Sequence, residues 1–450
     1  MRVSVVGAGY VGLVTAAGLA SKGHHIVCVE QDPERLRVIS EGRSPIAEPG
    51  LEDLISEAVD SGALVPSSDL EWAVKNTDVS IIAVGTPTKE ERIDLSDIVE
   101  VATGIGRALI EKRGFHVVVV KSTAVPGTCE AVVGKTIQAQ LDESGSESYG
   151  LSVNPEFLRV GHAVSDFLEP DRIVIGCTDD RVKATMRKLY APFTCPFVVT
   201  SLHNAELIKY TSNALLATLV SFSNEVATVC ERIPDGDVDV VLDGLHLDRR
   251  LSPIADGERI SPGILTYLRA GGGFGGSCLP KDVDALRAFM REAGVEPLLL
   301  DAVATVNQRG GEKIVKSIEQ TLGALNGNTA AVLGLAFKPG TDDVRSSPAI
   351  DLVHRLVDKG VIVKAHDPLA MRAARKELGD TVTYLDSAAE AVRDASFTVI
   401  ATAWPQFIDL DWHAVAKTMS APRAIVDTRN CLRGTRLPQD VLYWAVGRAS

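Results

Sequence analysis

A cysteine that is to act as a nucleophile needs open access, positive surroundings and a nearby base. One stretch of this 450-residue chain offers all three: Gly271-Gly272-Gly273-Phe274-Gly275-Gly276-Ser277-Cys278-Leu279-Pro280-Lys281-Asp282. The glycines leave bare amides and room for a substrate, and Lys281 brings a positive charge close to the thiol. Pro280 marks a helix beginning near Cys278, which would return the Asp282 carboxylate to the sulfur's side as a base. A second group, Glu206, Lys209 and Asn213, is spaced i, i+3, i+7 on one helix face among Leu, Ile, Ala and Val. There Lys209 can stabilise a developing alkoxide while Asn213 positions the same oxygen, or both can belong to a buried polar network.

A third group is Gly7-Ala8-Gly9-Tyr10-Val11-Gly12, which follows a strand pattern and opens a helical one. Gly7 permits the tight turn, Gly9 the approach of a pyrophosphate to the backbone, and Gly12 close packing of helix on strand. Glu30 ends the second strand pattern, where a carboxylate accepts from ribose hydroxyls and repels a 2′-phosphate, so NAD is expected over NADP. Three further strand patterns end in polar loops, Gly85-Thr86-Pro87, Lys121-Ser122-Thr123 and Asn154-Pro155-Glu156, at the edge of the same expected crevice.

The elements that must carry these groups alternate. Short apolar runs at Val3–Val6, Ile26–Glu30, Val79–Val84, Val117–Val120, Leu151–Val153 and Arg172–Ile175 read as buried parallel strands separated by helical patterns. From Ala205 to Arg232 the pattern becomes one long helix without Gly or Pro, too long for an ordinary crossover. It reads as a spine between domains and as a surface for a second copy. Beyond about residue 325 the rhythm resumes, with strands at Ala330–Leu335, Val361–Ala365, Thr398–Thr402 and Ile425–Val426 and a helix at Ala349–Lys359. Asp243 to Gly276 has no sustained period and reads as loops covering a site. The expected class is α/β: two Rossmann-like doubly wound parallel-sheet domains joined by a long central helix.

Composition narrows the function. Lys and Arg number 46 against 59 Asp and Glu, a net charge of −13 that repels a polyphosphate backbone, so nucleic acid is not expected as a partner. The uncharged stretch Tyr210 to Asn224 is interrupted by Thr, Ser and Asn and falls short of the roughly 20 apolar residues of a membrane span. No membrane association is expected, and with no signal-peptide pattern at Arg2–Val6 the expected location is the cytoplasm. Seven scattered cysteines without C-x-x-C spacing imply neither disulfides nor a metal site.

Taken in order, Gly7–Gly12, Val84-Gly85-Thr86-Pro87, Lys121-Ser122-Thr123, Asn154-Pro155-Glu156-Phe157-Leu158, Lys209 with Asn213, Phe274–Asp282, Gly334–Arg345 and Asp427-Thr428-Arg429-Asn430 closely resemble the UDP-glucose/GDP-mannose dehydrogenase family over nearly the whole length. The resemblance implies an NAD-binding Rossmann domain at 1–200, a central helical and dimerisation region with the cysteine loop at 201–320, and a C-terminal nucleotide-sugar-binding domain at 321–450. It implies a four-electron oxidation of a nucleotide sugar's primary alcohol to a carboxylate, with UDP-glucose as the leading substrate, through a thiohemiacetal and a thioester on Cys278. Lys209 and Asn213 would bind the reacting oxygen, Asp282 and Thr123 would organise proton transfer and water, and Glu156 would be the acid/base of hydrolysis. Cofactor contacts would come from Gly7, Gly9, Tyr10, Val11, Gly12, Glu30, Arg35, Thr86, Thr123, Lys281 and Arg345. Substrate contacts would come from Glu156, Phe157, Leu158, Arg159, Lys209, Asn213, Lys338, the loop Tyr267, Leu268, Arg269, Ala270 and Gly271, and Gly275. Arg429 resembles an arginine that reaches a neighbouring subunit's nucleotide, and a homodimer or higher homo-oligomer is implied.

The chain departs from the family pattern at Val160, where a second glutamate is usual four residues after Glu156. It departs again in His246–Tyr267, which is longer than the usual link by roughly a dozen residues. GDP-mannose, dTDP-glucose and N-acetylated UDP-sugars remain alternative substrates. A two-electron hydroxyacid dehydrogenase would have no use for Cys278, and a non-catalytic NAD or nucleotide-sugar binder is the alternative from another class.

Overall fold

Strands covered on both faces must be apolar on both, and near-continuous runs of Val and Ile meet that demand. In the computed structural model, which describes residues 1–89, 92–141 and 148–449, such runs build the sheet of a first unit, Met1–Ser212. Its strands are β1 (Arg2–Val6), β2 (His25–Val29), β3 (Leu64–Ser67), β4 (Val79–Ile82), β5 (His116–Val120), β6 (Tyr149–Val153), β7 (Ile173–Cys177) and β8 (Phe197–Thr200). They lie in the order β8-β7-β6-β5-β4-β1-β2-β3. The strand order reverses beside β1, the place where an open sheet of this kind leaves a crevice for a ligand. Helix α1 (Tyr10–Ser21) follows β1 and buries every residue from Gly12 to Ala20, because its Gly and Ala residues let it sit close to the sheet.

The sheet corrects one expectation. The pattern of Arg172–Ile175 predicts another parallel strand, but β7 pairs antiparallel to β6, with Ser152 opposite Cys177 and Val153 opposite Gly176. Strand β8 then pairs parallel with β7. Both β8 and β3 carry partly exposed residues, and β3 contains Pro66, which explains why neither shows the continuous apolar run that marked the inner strands.

Helix α2 (Pro33–Ser40) is capped by Asp32, and the spine helix α3 (Leu202–Cys230) leads out of the first unit at Ser212. In the second unit, Asn213–Ser450, the expected loop region is more ordered than the sequence suggested: α4 (Val238–His246), a two-residue-per-strand hairpin at Ile254–Ala255 and Glu258–Arg259, and a 3-10 turn at Gly263–Tyr267. Helices α5 (Leu279–Glu292) and α6 (Leu298–Leu322) lead to a six-stranded parallel sheet. Its strands are β9 (Thr329–Leu333), β10 (Ile362–His366), β11 (Thr383–Tyr384), β12 (Phe397–Ile400), β13 (Ala424–Asp427) and β14 (Leu442–Ala445), in the order β11-β10-β9-β12-β13-β14. Most of the segment drawn as 201–320 thus shares one unit with the segment 321–450. Asp367, fully buried after β10, ties this unit together: it accepts from the amides of Leu335, Ala336, Leu369 and Ala370 and from Trp404 Nε1. Among the described residues no helix is long and apolar enough to cross a membrane.

The first sheet buries a polar chain at its strand starts. Ser4 Oγ lies 2.6 Å from Ser80 Oγ, and His116 Nε2 lies 2.8 Å from the same hydroxyl. Burial, with the Lys112 charge as a lesser cause, lowers the His116 pKa from 6.5 to about 3. Between those values the unfolded chain holds a proton here that the folded chain lacks, so stability is full above pH 6.5 and falls as the pH drops towards 3. Urea unfolding at about pH 7 and about pH 4.5 should therefore show a smaller loss for His116→Gln than for the native chain, whereas equal losses would contradict the buried neutral imidazole.

Candidate active site

The turn after β1 is built around what glycine lacks. Gly7 takes φ +96°, and a side chain on Gly12 would place its Cβ 1.8 Å from the Gly7 carbonyl oxygen, so helix and turn can close only with hydrogen there. A Cβ on Gly9 would meet nothing within 4 Å, which leaves the backbone open to an approaching ligand at the helix N-terminus. Glu30, directly after β2, accepts from the amides of Ala8, Gln31 and Asp32, so its carboxylate is fixed beside the turn. These residues fit NAD: amides and dipole for the pyrophosphate, a carboxylate for the ribose. Val11 continues the turn into α1, and Arg35 is exposed on the first turn of α2.

Tyr10, the second residue of this turn's Gly9-Tyr10-Val11 stretch, is tied to a distant loop. Its hydroxyl donates to Glu48, and Glu48 in turn accepts from the amides of Gly161 at 2.8 Å and Ala163 at 2.7 Å. Burial first, then Glu48, pushes the Tyr10 phenol well above its ordinary value. Tyr10 therefore joins α1 to the loop containing Val160. Glu48 escaped sequence reasoning because it lies in an irregular segment whose only cue was the Glu48-Pro49-Gly50 turn.

The carboxyl ends of β4, β5 and β6 carry the expected loops. Thr86 donates to the Thr123 carbonyl at 2.9 Å, and Ser122 donates to the Val84 carbonyl at 2.7 Å, which locks the first two loops together. In the third, Glu156 meets Lys209 at 2.8 Å, with both side chains no more than 7% exposed. The second Glu156 oxygen accepts from the Leu158 amide at 2.6 Å. Burial alone would raise the Glu156 pKa, but the Lys209 charge and hydrogen bond, the Leu158 amide and Lys121 together hold it below the ordinary carboxylate value. Phe157 stacks under the Arg172 guanidinium at 3.9 Å, and Arg159 makes a paired contact with Asp166. Glu206 serves elsewhere than its neighbours on the spine, accepting from the amides of Gly127 and Cys129.

In the second unit Cys278 is exposed and caps the N-terminus of α5, with Ser277 Oγ 3.6 Å from its sulfur. Helix N-termini and arginines favour the thiolate. Arg345 grips Asp343 through two hydrogen bonds and accepts with its carbonyl from Gly276; Asp343 first, and the Cys278 sulfur as a lesser neighbour, raise its pKa. Asp282 is fully buried on the first turn of α5, and its two oxygens are engaged by Asn213 Nδ2 at 2.5 Å and Lys281 Nζ at 2.7 Å. The carboxylate expected to act as a base on the sulfur is thus bonded to the asparagine expected to hold the substrate oxygen, and Lys281, read as a cofactor contact, is bonded to Asp282.

The glycine loop is held by residues that sequence spacing could not reveal. Asn224 accepts from the Gly271 amide, Asn307 both accepts from Phe274 and donates to it, and a side chain on Gly275 or Gly276 would strike Ser346 or Phe337. Before it, Tyr267 ends the 3-10 turn, the Leu268 carbonyl lies 3.1 Å from His246 Nε2, and Ala270 is buried. Arg269 pairs with Asp243 at 2.6 Å. Lys338 lies over the Phe337 ring. Arg429, expected to reach a neighbouring subunit, is tucked beneath its own glycine loop, with Nε donating to Ala401 O at 2.8 Å and Nη1 approaching Gly273 O at 3.4 Å.

Fold and site together define an NAD-dependent oxidoreductase. Three sequence models of the UDP-glucose/GDP-mannose dehydrogenase family match in succession: the NAD binding domain over residues 1–194, the central domain over 203–309 and the UDP binding domain over 331–434. UDP-glucose 6-dehydrogenase TuaD of Bacillus subtilis (strain 168) is 38% identical over 451 residues, covering 99% of this chain and 93% of the relative. UDP-glucose 6-dehydrogenase AglM of Haloferax volcanii is 38% identical over 417 residues, covering 91% and 93%. A solved UDP-glucose dehydrogenase from the hyperthermophilic archaeon Pyrobaculum islandicum superposes with a TM-score of 0.90 at 38% identity, covering 100% of this chain and 98% of that one. The chain belongs to the UDP-glucose/GDP-mannose dehydrogenase family and is an NAD-dependent nucleotide-sugar dehydrogenase.

The Gly12 geometry makes the cofactor site testable. Gly12→Ala must push α1 away from the Gly7 turn, and calorimetric titration should show NAD affinity reduced by at least about 10-fold, while unchanged affinity would contradict this account of the turn.

Proposed function

We propose that this protein oxidises UDP-glucose to UDP-glucuronate, with Cys278 as the covalent nucleophile. The observation that carries the reading is the exposed Cys278 at the head of α5, on a glycine loop with the Arg345 charge beside it. NAD, when bound, supplies the hydride acceptor. Gly7, Gly9 and Gly12 would receive its pyrophosphate and Glu30 its ribose.

In the first oxidation the alcohol carbon gives up a hydride and its hydroxyl a proton, and Lys209 and Asn213 hold the oxygen as its negative charge develops. Cys278 then adds to the aldehyde: a carbon–sulfur bond forms and the thiol proton passes to the oxygen, giving a thiohemiacetal. Loss of a second hydride and a proton leaves a thioester on Cys278, which fixes the carbon while the reduced cofactor is exchanged. Water forms the new carbon–oxygen bond, the carbon–sulfur bond breaks, and Glu156 and Thr123 are the groups we assign to moving protons and placing the water. Asp282, bonded to Asn213 and Lys281, orients the asparagine. Val160 leaves Glu156 as the carboxylate of its loop for this hydrolysis.

A homodimer in the cytoplasm completes the proposal. The spine helix exposes Leu215, Phe222 and Val229 by about half each, at i, i+7 and i+14, a stripe suited to a second copy of the same helix. Light scattering should show a dimer that Phe222→Asp weakens; a monomeric, fully active native chain would defeat it.

The chemistry is tested by running limiting UDP-glucose to completion and counting NADH. The account gives a ratio near two with a uronic acid product, and Cys278→Ser should lose thioester formation and with it the second equivalent. A native ratio near one, with release of aldehyde, would overturn the covalent route.

A further inference from the structure

Lys121 lies in the first unit at a place where a buried charge needs a reason. It follows β5 directly, as Asn154 follows β6, and the pairing of Val120 with Val153 sets the two side by side at the strand ends. Its side chain is buried, and Nζ donates to Asn154 Oδ1 at 2.9 Å. Asn154 is itself fixed: its Nδ2 donates to Val174 O at 2.9 Å, and the Tyr190 hydroxyl donates to its Oδ1 at 2.5 Å. The ammonium is therefore bonded to a neutral carboxamide, an arrangement that is costly unless a carboxylate stands within electrostatic reach. Glu156, two residues beyond Asn154, is that carboxylate, and Lys209, paired with Glu156, is the like charge.

We propose that Lys121 is a positioning residue for the reaction: within electrostatic reach of Glu156 it supplies a second cation, so that the Glu156–Lys209 pair keeps a net positive charge for the oxyanion that develops on the substrate. Alone, Lys209 and Glu156 sum to zero and present little field to an incoming negative charge; with Lys121 the buried group carries one net positive charge. The groups facing Lys121 are Glu156, Lys209 and the Tyr190 phenol, and burial keeps Tyr190 protonated by raising its pKa. Burial first, with Lys209 adding to it and Glu156 opposing, lowers the Lys121 pKa to about 8. The extra charge is therefore present below pH 8 and lost above it.

The proposal rests on the oxidation assigned to Lys209, and it is tested with whichever nucleotide sugar the enzyme turns over, so a wrong sugar leaves this test intact. In the native enzyme kcat should fall as the pH rises through about 8. Lys121→Met should lower kcat on the order of 10-fold or more at neutral pH and abolish that alkaline limb, with NAD affinity retained. Lys121→Arg, charged throughout, should recover much of the rate and also lack the limb. If Lys121→Met fails to fold, the Lys121→Arg profile decides. A limb near pH 8 that persists in either variant, or both variants slowed alike with an unchanged profile, would overturn the proposal and leave Lys121 a structural residue.

Discussion

The constraint on which the first unit's site depends is a buried ion pair. Lys209 and Glu156 meet at 2.8 Å with almost no water around either. Such a pair gains little stability over apolar residues of the same size, because removing two charges from water offsets most of their attraction. What it does is fix a geometry: Glu156 can stay ionised at this burial only where a lysine on the spine helix and the Leu158 amide reach it. The strand end, the loop after it and the first turns of the long helix are thereby held in one register.

The same economy of position holds in the second unit. Asp282 is buried where α5 begins, and its two bonds join the preceding residue, Lys281, to Asn213 on the spine. The glycine loop before Cys278 has little freedom despite its composition. Asn224, Asn307, Arg345 and Arg429 each hold a backbone group of the loop, and Phe337 packs where a side chain would otherwise stand. Glycine here serves close approach rather than flexibility, and Cys278 follows a loop whose backbone groups are held from several sides.

Much of this was legible in the sequence. The inner strands declared themselves as continuous Val and Ile runs, the spine by its length, and the cofactor turn by three glycines between a strand and a helix. The edge strands β3, β8, β11 and β14 did not, because a partly exposed or two-residue strand leaves no distinctive pattern. The antiparallel pairing of β7 was invisible for another reason: direction is set by the connection, and a buried strand reads alike either way. Among the candidate site residues, motifs gave Cys278, Lys209, Asn213 and Glu156, whereas most of the partners around them came from distant parts of the chain. Glu48, Asn224 and Asn307 act by tertiary placement, which spacing does not encode, and Lys121, legible as the head of a polar loop, owes its burial against Asn154 to the same cause. Arg429 was legible only through the resemblance, and within the chain it donates to the carbonyls of Ala401 and Gly273.

In the proposed reaction one cysteine carries the substrate between two oxidations. The most direct measurement is rapid acid quenching of enzyme mixed with UDP-glucose and excess NAD, followed by mass analysis of the peptide containing Cys278. The account predicts a transient adduct on that residue alone, with the mass of the substrate less two hydrides and two protons, disappearing as the uronic acid forms. Steady turnover to the acid with Cys278 unmodified at every time, or with native rates retained after its replacement by serine, would contradict it.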